Sequence, residues 1–288
     1  MKLRPTNRTI KKAITPALAG MTPIPNHLKP LQQMRYPPDN AVTFERWYFN
    51  TYVSKDERAR TYLPIQWTAL YCNNQFGACQ RTYNHIQNFL RTLDKTKKYY
   101  TIVQYDDGIL NDISHLDVKV FAMSGPRIDY PLPLLCTPHG FKFPNVKRDI
   151  FASFVGRITH PIRARMCEQL KDFPNYYIST KDHKLKDYCE ILARSKYALC
   201  PRGYGQTSFR IQEAIDYGAI PVYISDDNYI LPYDRGFMYG LLLDGEDDID
   251  SRLKTSECIL PVVKELFTYT GCKQMILKEL ENDSQQLV

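Results

Sequence analysis

Two arginines, a glutamate and two glycines fall within one short stretch of this chain, at Arg202, Gly203, Gly205, Arg210 and Glu213. Their types and spacing suit a nucleoside diphosphate. Guanidinium groups pair with phosphate oxygens through parallel hydrogen bonds and stay charged near neutral pH. Glu213 lies three residues past Arg210, so on a helix the two side chains share one face. A carboxylate beside phosphates serves better as an acceptor for sugar hydroxyls, as an acidic residue does for ribose in dinucleotide sites. The plainer alternative is a solvated Arg210–Glu213 pair on a strand-to-helix turn. The arginines, a cap and the carboxylate together favour the site.

Such residues need a scaffold, and the flanking sequence predicts one. Residues 197–200 (YALC) form the apolar run of a buried parallel strand, stopped by Pro201. Gly203 and Gly205 admit backbone angles that other residues avoid. Thr207 or Ser208 is placed to cap a helix over 209–217, with Gly218 ending it. Residues 219–225 are the next strand. A helix N-terminus behind a glycine loop offers free N–H groups and a positive dipole end to phosphate. Gly203, Thr207 and Ser208 therefore join Arg202 and Arg210 as expected diphosphate contacts.

The stretch 200–226, CPRGYGQTSFRIQEAIDYGAIPVYISD, resembles the signature of exostosin-type glycosyltransferases, glycosyltransferase family 47. The likeness rests on CPRG at 200–203, SFR at 208–210, Glu213, Ala214 and GAIPV at 218–222. A looser likeness spans 151–233. It implies an α/β GT-B fold, two Rossmann-like domains with parallel sheets facing a cleft. It also implies inverting transfer from a nucleotide diphosphate donor to a glycan hydroxyl. In that frame Arg157, Arg202 and Arg210 neutralise the diphosphate and Glu213 binds ribose. The chain's size and lack of an anchor are similar to those of small soluble chlorovirus-encoded members, which include a xylosyltransferase. UDP-xylose is the favoured donor; glucuronosyl, galactosyl or other hexosyl transfer are the alternatives. GT-B enzymes typically need no metal, so no metal or other cofactor is expected.

Taken in order, the chain divides into a basic Pro-rich arm (1–40), an acceptor-binding Rossmann-like domain (41–145), a nucleotide-sugar domain (146–265) and a terminal helix (266–288) that can cross back to the first domain. Segment 42–52 reads as strand or helix. The aromatic residues around 47–67 read as core, and Asn73 and Asn74 as acceptor contacts. A helix over 78–93 and strands over 99–105, 118–124 and 131–137 follow the periodicity. Asp106 and Asp107 sit at a strand's carboxyl end, where parallel sheets bind ligands. They read equally as general base or acceptor-binding carboxylate and as an Asp-Gly turn. His139, in the connector, can reach the cleft and is a candidate acceptor contact.

In the second domain a strand over 151–156 delivers Arg157 to a loop. Thr159 is the expected cap of the next helix and Pro161 its first turn. Arg163 and Arg165 cluster with Arg157 near that helix start, where a diphosphate could also sit, or are simply solvated, with Arg157 favoured. A strand over 176–180 brings Ser179 and Thr180 to where a uracil would lie. Asp248 and Asp250 form a D-x-D, a metal motif in GT-A transferases, read here as a solvated loop.

The net charge of +7 favours anionic partners such as nucleotide sugars, nucleic acid or acidic membranes. A non-catalytic nucleic-acid-binding protein is the alternative of another class; dispersed charge and the lack of an RNA motif count against it. No apolar run reaches the roughly 20 residues of a membrane span, and residues 1–20 lack a signal peptide's apolar core. A soluble, cytoplasmic protein is expected. The eight cysteines show no C-x-x-C pair, so they read as reduced thiols without zinc.

Overall fold

In the computed structural model, which describes residues 20–29, 42–52, 59–226, 229–230, 232–234, 240–256 and 264–285, the strands form two parallel sheets. The first has the order β1–β2–β3–β4, from Thr61–Tyr62, Lys98–Val103, Asp117–Ala122 and Tyr130–Pro131. The second has the order β6–β5–β7–β8–β9, where β5 is Ile150–Val155, β6 Tyr176–Ser179, β7 Ser195–Pro201, β8 Ile220–Ser225 and β9 Leu241–Asp244. Parallel strands covered on both faces require nearly unbroken apolar runs, which KYYTIV, IFASFV and IPVYIS supply.

Helices α1 (Phe44–Asn50), α2 (Trp67–Cys72) and α3 (Gln80–Arg91) serve the first half. The second has α4 (Pro161–Leu170), α5 (Leu185–Arg194), α6 (Arg210–Asp216) and α7 (Ile249–Thr255), and α8 (Tyr269–Gln285) closes the chain. This is the two-sheet α/β plan of a GT-B fold. In the second sheet the chain steps outward from β5 to β6, then returns to β7 and continues the other way. The crevice beyond β5 and β7 is thus a topological switch point, where such sheets bind ligands.

One core cluster runs through both halves, joining Tyr100 and Phe121 of the first sheet to Cys200, Ala214 and Tyr223 of the second and Ile276 of α8. The aromatic stretch is core: Tyr48, Tyr62 and Trp67 are fully buried. α8 is tied to the first half by Lys119, which pairs with Glu279 at 2.6 Å and Asp283 at 2.7 Å, and by Arg60 on Asp283 at 2.8 Å.

Several local expectations change. The 42–52 segment resolves as α1, capped by Thr43, whose hydroxyl accepts from Arg46 N. The strand expected over 131–137 shrinks to β4. Pro161 does open α4, but the cap is the His160 ring rather than Thr159. The D-x-D is no solvated loop. Asp248 caps α7, and Asp250 accepts from Tyr176 Oη at 2.8 Å and pairs with Lys254 at 2.7 Å. Of the arm, only 20–29 is described, and Met21 bridges to Tyr62. Asp227 and Cys258 lie outside the described residues. The described cysteines carry no disulfide, and no described helix is long and apolar enough to cross a membrane.

Candidate functional site

The β5 strand ends at Val155, and its carbonyl accepts from Arg210 Nε at 3.0 Å and Nη2 at 2.7 Å. The guanidinium also lies over the Phe154 ring, 5.0 Å from its centroid, a favourable cation–π contact. Gly156 leaves room for it: a Cβ there would sit 1.9 Å from Arg210 Nη2 and force the guanidinium to move. Arg210 is therefore held at the switch point by backbone and aromatic contacts, and it lines a cavity of about 420 Å³.

Glu213 lies on the next turn and lines the same cavity. Its Oε1 is 2.8 Å from His139 Nε2, and its Oε2 accepts from Tyr188 Oη. Burial alone would raise its pKa. Hydrogen bonds from His139 and Tyr188, with the Arg210 charge, overcome that and hold the carboxyl below its ordinary value. Lys181, Asp182 and His183, from the loop after β6, complete the opposite wall.

A second cavity, about 440 Å³, is lined in part by the 202–206 loop. Its walls are Asp106, Asp107, Gly125 and Pro126 from the first half and Arg202, Tyr204, Gly205 and Gln206 from the second. Both Asp226 carboxylate oxygens lie 2.8 Å from Arg202 Nη1. Arg202 Nε is buried without a hydrogen-bond acceptor among the described residues. Gln206 fastens the halves here, accepting from Gly125 N at 3.0 Å and donating from its own N to Ser124 Oγ at 3.3 Å. Gly205 makes that approach possible, since a Cβ would lie 2.5 Å from Asp106 Oδ1.

The structure gathers Arg210, Glu213 and His139 at one cavity and Arg202, Asp106 and Asp107 at the other. Asp107 is exposed and Asp106 half-buried. Gly203 is buried against the Arg163 guanidinium. Thr207 and Ser208 are buried behind the loop; the nearer cap contact is weak, Arg210 N to Ser208 Oγ at 3.4 Å. Neither loop glycine has positive φ, so both serve close approach rather than an unusual backbone angle. Ser179 and Thr180 fall just short of the first cavity, which meets Lys181–His183 instead. Asn73 and Asn74 do not line either cavity; Asn74 Nδ2 donates to Leu70 O at 2.7 Å, ending α2. His139 belongs to the Glu213 side, away from them.

Arg157, the arginine favoured from sequence, faces solvent, and Arg163 is buried. The Arg157 side chain is 77% exposed and only 3.3 Å from Asp182. Arg163 is buried and donates to the carbonyls of Arg202 at 2.9 Å and Arg157 at 3.0 Å. Burial, with the nearby Arg210 charge, lowers it to about 10. It pins the start of the 202–206 loop. Tyr188, whose spacing signals only an inward face of α5, is the second contributor that sequence reasoning missed.

Residues 54–239 match the Exostosin GT47 domain. The "Probable glucuronosyltransferase 47 A" of Physcomitrium patens is 36% identical over 102 residues, covering 31% of this chain and 22% of that protein. The "Probable beta-1,4-xylosyltransferase IRX10" of Arabidopsis thaliana is 35% identical over 102 residues, covering 31% and 24%. The match thus spans less than two thirds of either relative. The crystal structure of the GtfA/B complex aligns over 71% of this chain and 61% of its own, at a TM-score of 0.38 and 11% identity.

Proposed function

Because the chain belongs to the exostosin GT47 glycosyltransferase family, we propose that it moves a sugar from a UDP donor to a glycan hydroxyl with inversion, xylose from UDP-xylose being the favoured case. The observation that carries this reading is that the 202–210 stretch contributes to two cavities, one lined by Arg210 and Glu213 and the other by Arg202 and two candidate bases. The nucleotide lies in the first cavity, with its ribose hydroxyls on Glu213. The diphosphate lies against Arg210. The sugar reaches toward Asp107.

Asp107 takes the proton of the acceptor hydroxyl as that oxygen attacks the anomeric carbon. The bond from that carbon to the donor phosphate oxygen breaks, and its electrons leave with the diphosphate. A base must stand within hydrogen-bond reach of the proton it removes. Asp107 is the better placed aspartate, because Asp106 is packed against Gly205. Arginine at the diphosphate stabilises the charge that develops there, so no metal is needed for that role. The buried Arg202 Nε is a polar atom that a donor oxygen would complete after a small shift. Tyr204, 73% exposed at the rim, suits the apolar face of an acceptor pyranose.

A neutral sugar fits the second cavity better than a uronic acid. Its charged lining is Asp106, Asp107 and Arg202, and Asp226 already occupies Arg202. UDP-xylose, UDP-glucuronate and UDP-galactose are compared by thermal shift in the presence of chelator, since a ligand of the folded state raises Tm. The expected outcome is stabilisation by UDP-xylose, with Asp107→Asn keeping that shift while losing turnover. Stabilisation by single-stranded RNA and by no nucleotide sugar sinks the reading.

A further inference from the structure

The wall of the first cavity carries a second chemistry. Cys136 Sγ, His139 Nε2 and a Glu213 carboxylate oxygen all lie within 4.8 Å of one another. They come from two separate pieces of chain, the connector after β4 and helix α6. The sequence shows only half of the set, a Cys136-x-x-His139 spacing that a search for C-x-x-C pairs passes over. The fold adds Glu213.

These side chains are held from behind. The buried Gln212 amide brackets the Cys136 backbone, accepting from Cys136 N at 2.6 Å and donating to Cys136 O at 3.0 Å. Tyr188 Oη fixes the Glu213 oxygen that does not face His139. Supporting contacts of this kind orient metal ligands and tune them. A thiol, an imidazole and a carboxylate are also a donor set that zinc accepts, and three protein ligands beside a cavity leave a position open.

Geometry permits the step. Bonds of about 2.0–2.3 Å to a tetrahedral zinc place ligand atoms roughly 3.4–3.6 Å apart. The His139–Glu213 contact at 2.8 Å must open slightly and the widest gap close by about 1 Å, which side-chain rotation supplies. The cation replaces the thiol proton, which leaves to solvent, and binds His139 through a deprotonated Nε2. Nothing is oxidised or reduced.

We propose that Cys136, His139 and Glu213 form a site for a thiophilic divalent cation, zinc foremost, and that the cation excludes the nucleotide because both use Glu213. Only the exclusion rests on the function proposed above.

Cobalt(II) added to the intact protein is the direct probe. A near-ultraviolet thiolate-to-cobalt charge-transfer band is expected. It should disappear in Cys136→Ala and in His139→Ala, and zinc should bleach it at stoichiometric concentration. Cys79→Ala, at the start of α3 and outside this set, should keep it, and Tm of each variant reports folding separately. No band, or a band that survives Cys136→Ala, overturns the site whatever the protein does with nucleotide sugars. UDP should suppress the band. A Cys136-dependent band that is indifferent to bound UDP keeps the cation site, overturns the exclusion and removes Glu213 from the nucleotide.

Discussion

Glu45 in the first half and Glu213 in the second are both enclosed carboxylates, yet desolvation prevails in one and is overcome in the other. Glu45 accepts from Thr68 N at 3.1 Å, Thr68 Oγ1 at 2.6 Å and Gln104 N at 2.7 Å. These donors are neutral, and burial raises its pKa to about 7 despite them. Glu213 has fewer hydrogen bonds, from His139 and Tyr188, but it also has the Arg210 guanidinium nearby, and it stays below its ordinary value. The hydrogen bonds from His139 and Tyr188 lower Glu213 most, and the Arg210 charge adds to them. Glu45 thus joins α1, α2 and Gln104, just past β2 and two residues before Asp106, as part of the frame. Glu213 is kept charged at a cavity wall, as a ligand-binding carboxylate requires.

Removing Arg210 should have the largest effect. Arg210→Ala takes away the charge beside Glu213 and the proposed diphosphate contact together. Turnover should fall on the order of 10²- to 10³-fold, the usual loss when a group stabilising developing charge is deleted. A steady-state assay showing less than a threefold change would place the diphosphate elsewhere.

The next effect is on stability and belongs to Glu45. Below about pH 4.5 both folded and unfolded chains carry the proton. Between there and about pH 7 the unfolded chain has released it while the folded chain retains it. Glu45 therefore contributes stability at low pH that is lost as pH rises through 7. The span, 2.5 pH units at about 1.4 kcal/mol each, is roughly 3 kcal/mol. Glu45→Gln should flatten that part of a denaturation-versus-pH curve and leave the rest; an unchanged curve assigns the slope to other groups.

Glu213→Gln should weaken donor binding by about tenfold, as expected for one charge-assisted hydrogen bond. It should also lower stability near pH 7, where a carboxyl held below its ordinary value contributes in full. Calorimetry with UDP distinguishes this from a folding defect. The smallest expected effect is that of Tyr188→Phe, which removes one donor to Glu213 and leaves its charge partner. Donor affinity should drop by only a few-fold. A loss equal to that of Glu213→Gln would make Tyr188 a direct nucleotide contact.

Four strands of the second sheet were legible as short apolar runs, whereas the edge strand β9 was not read. Arg210 and Glu213 were legible because three-residue spacing places them on one face. Arg163 was not legible. Its spacing is that of a surface arginine, and its burial follows only when the 201–203 backbone folds over it. Arg157, in the loop before α4, looks the better ligand in sequence and faces solvent. The approach of Asp106 to Gly205 joins halves far apart in the chain, so the need for glycine there could be read only as turn chemistry. His160 took the cap from Thr159 because its ring, one residue closer to Pro161, reaches Ile162 N.

The glutamines that fasten the halves also determine how the molecule responds to salt. Gln206 holds the Ser124–Gly125 corner and Gln212 holds Cys136, in both cases through uncharged amides. The strap of α8 over Arg60 and Lys119 is ionic. Mobile ions screen partly exposed charges over about 10 Å at 0.1 M but leave amide hydrogen bonds largely intact. Rising ionic strength should therefore loosen the outer strap while the seam between the cavities keeps its register.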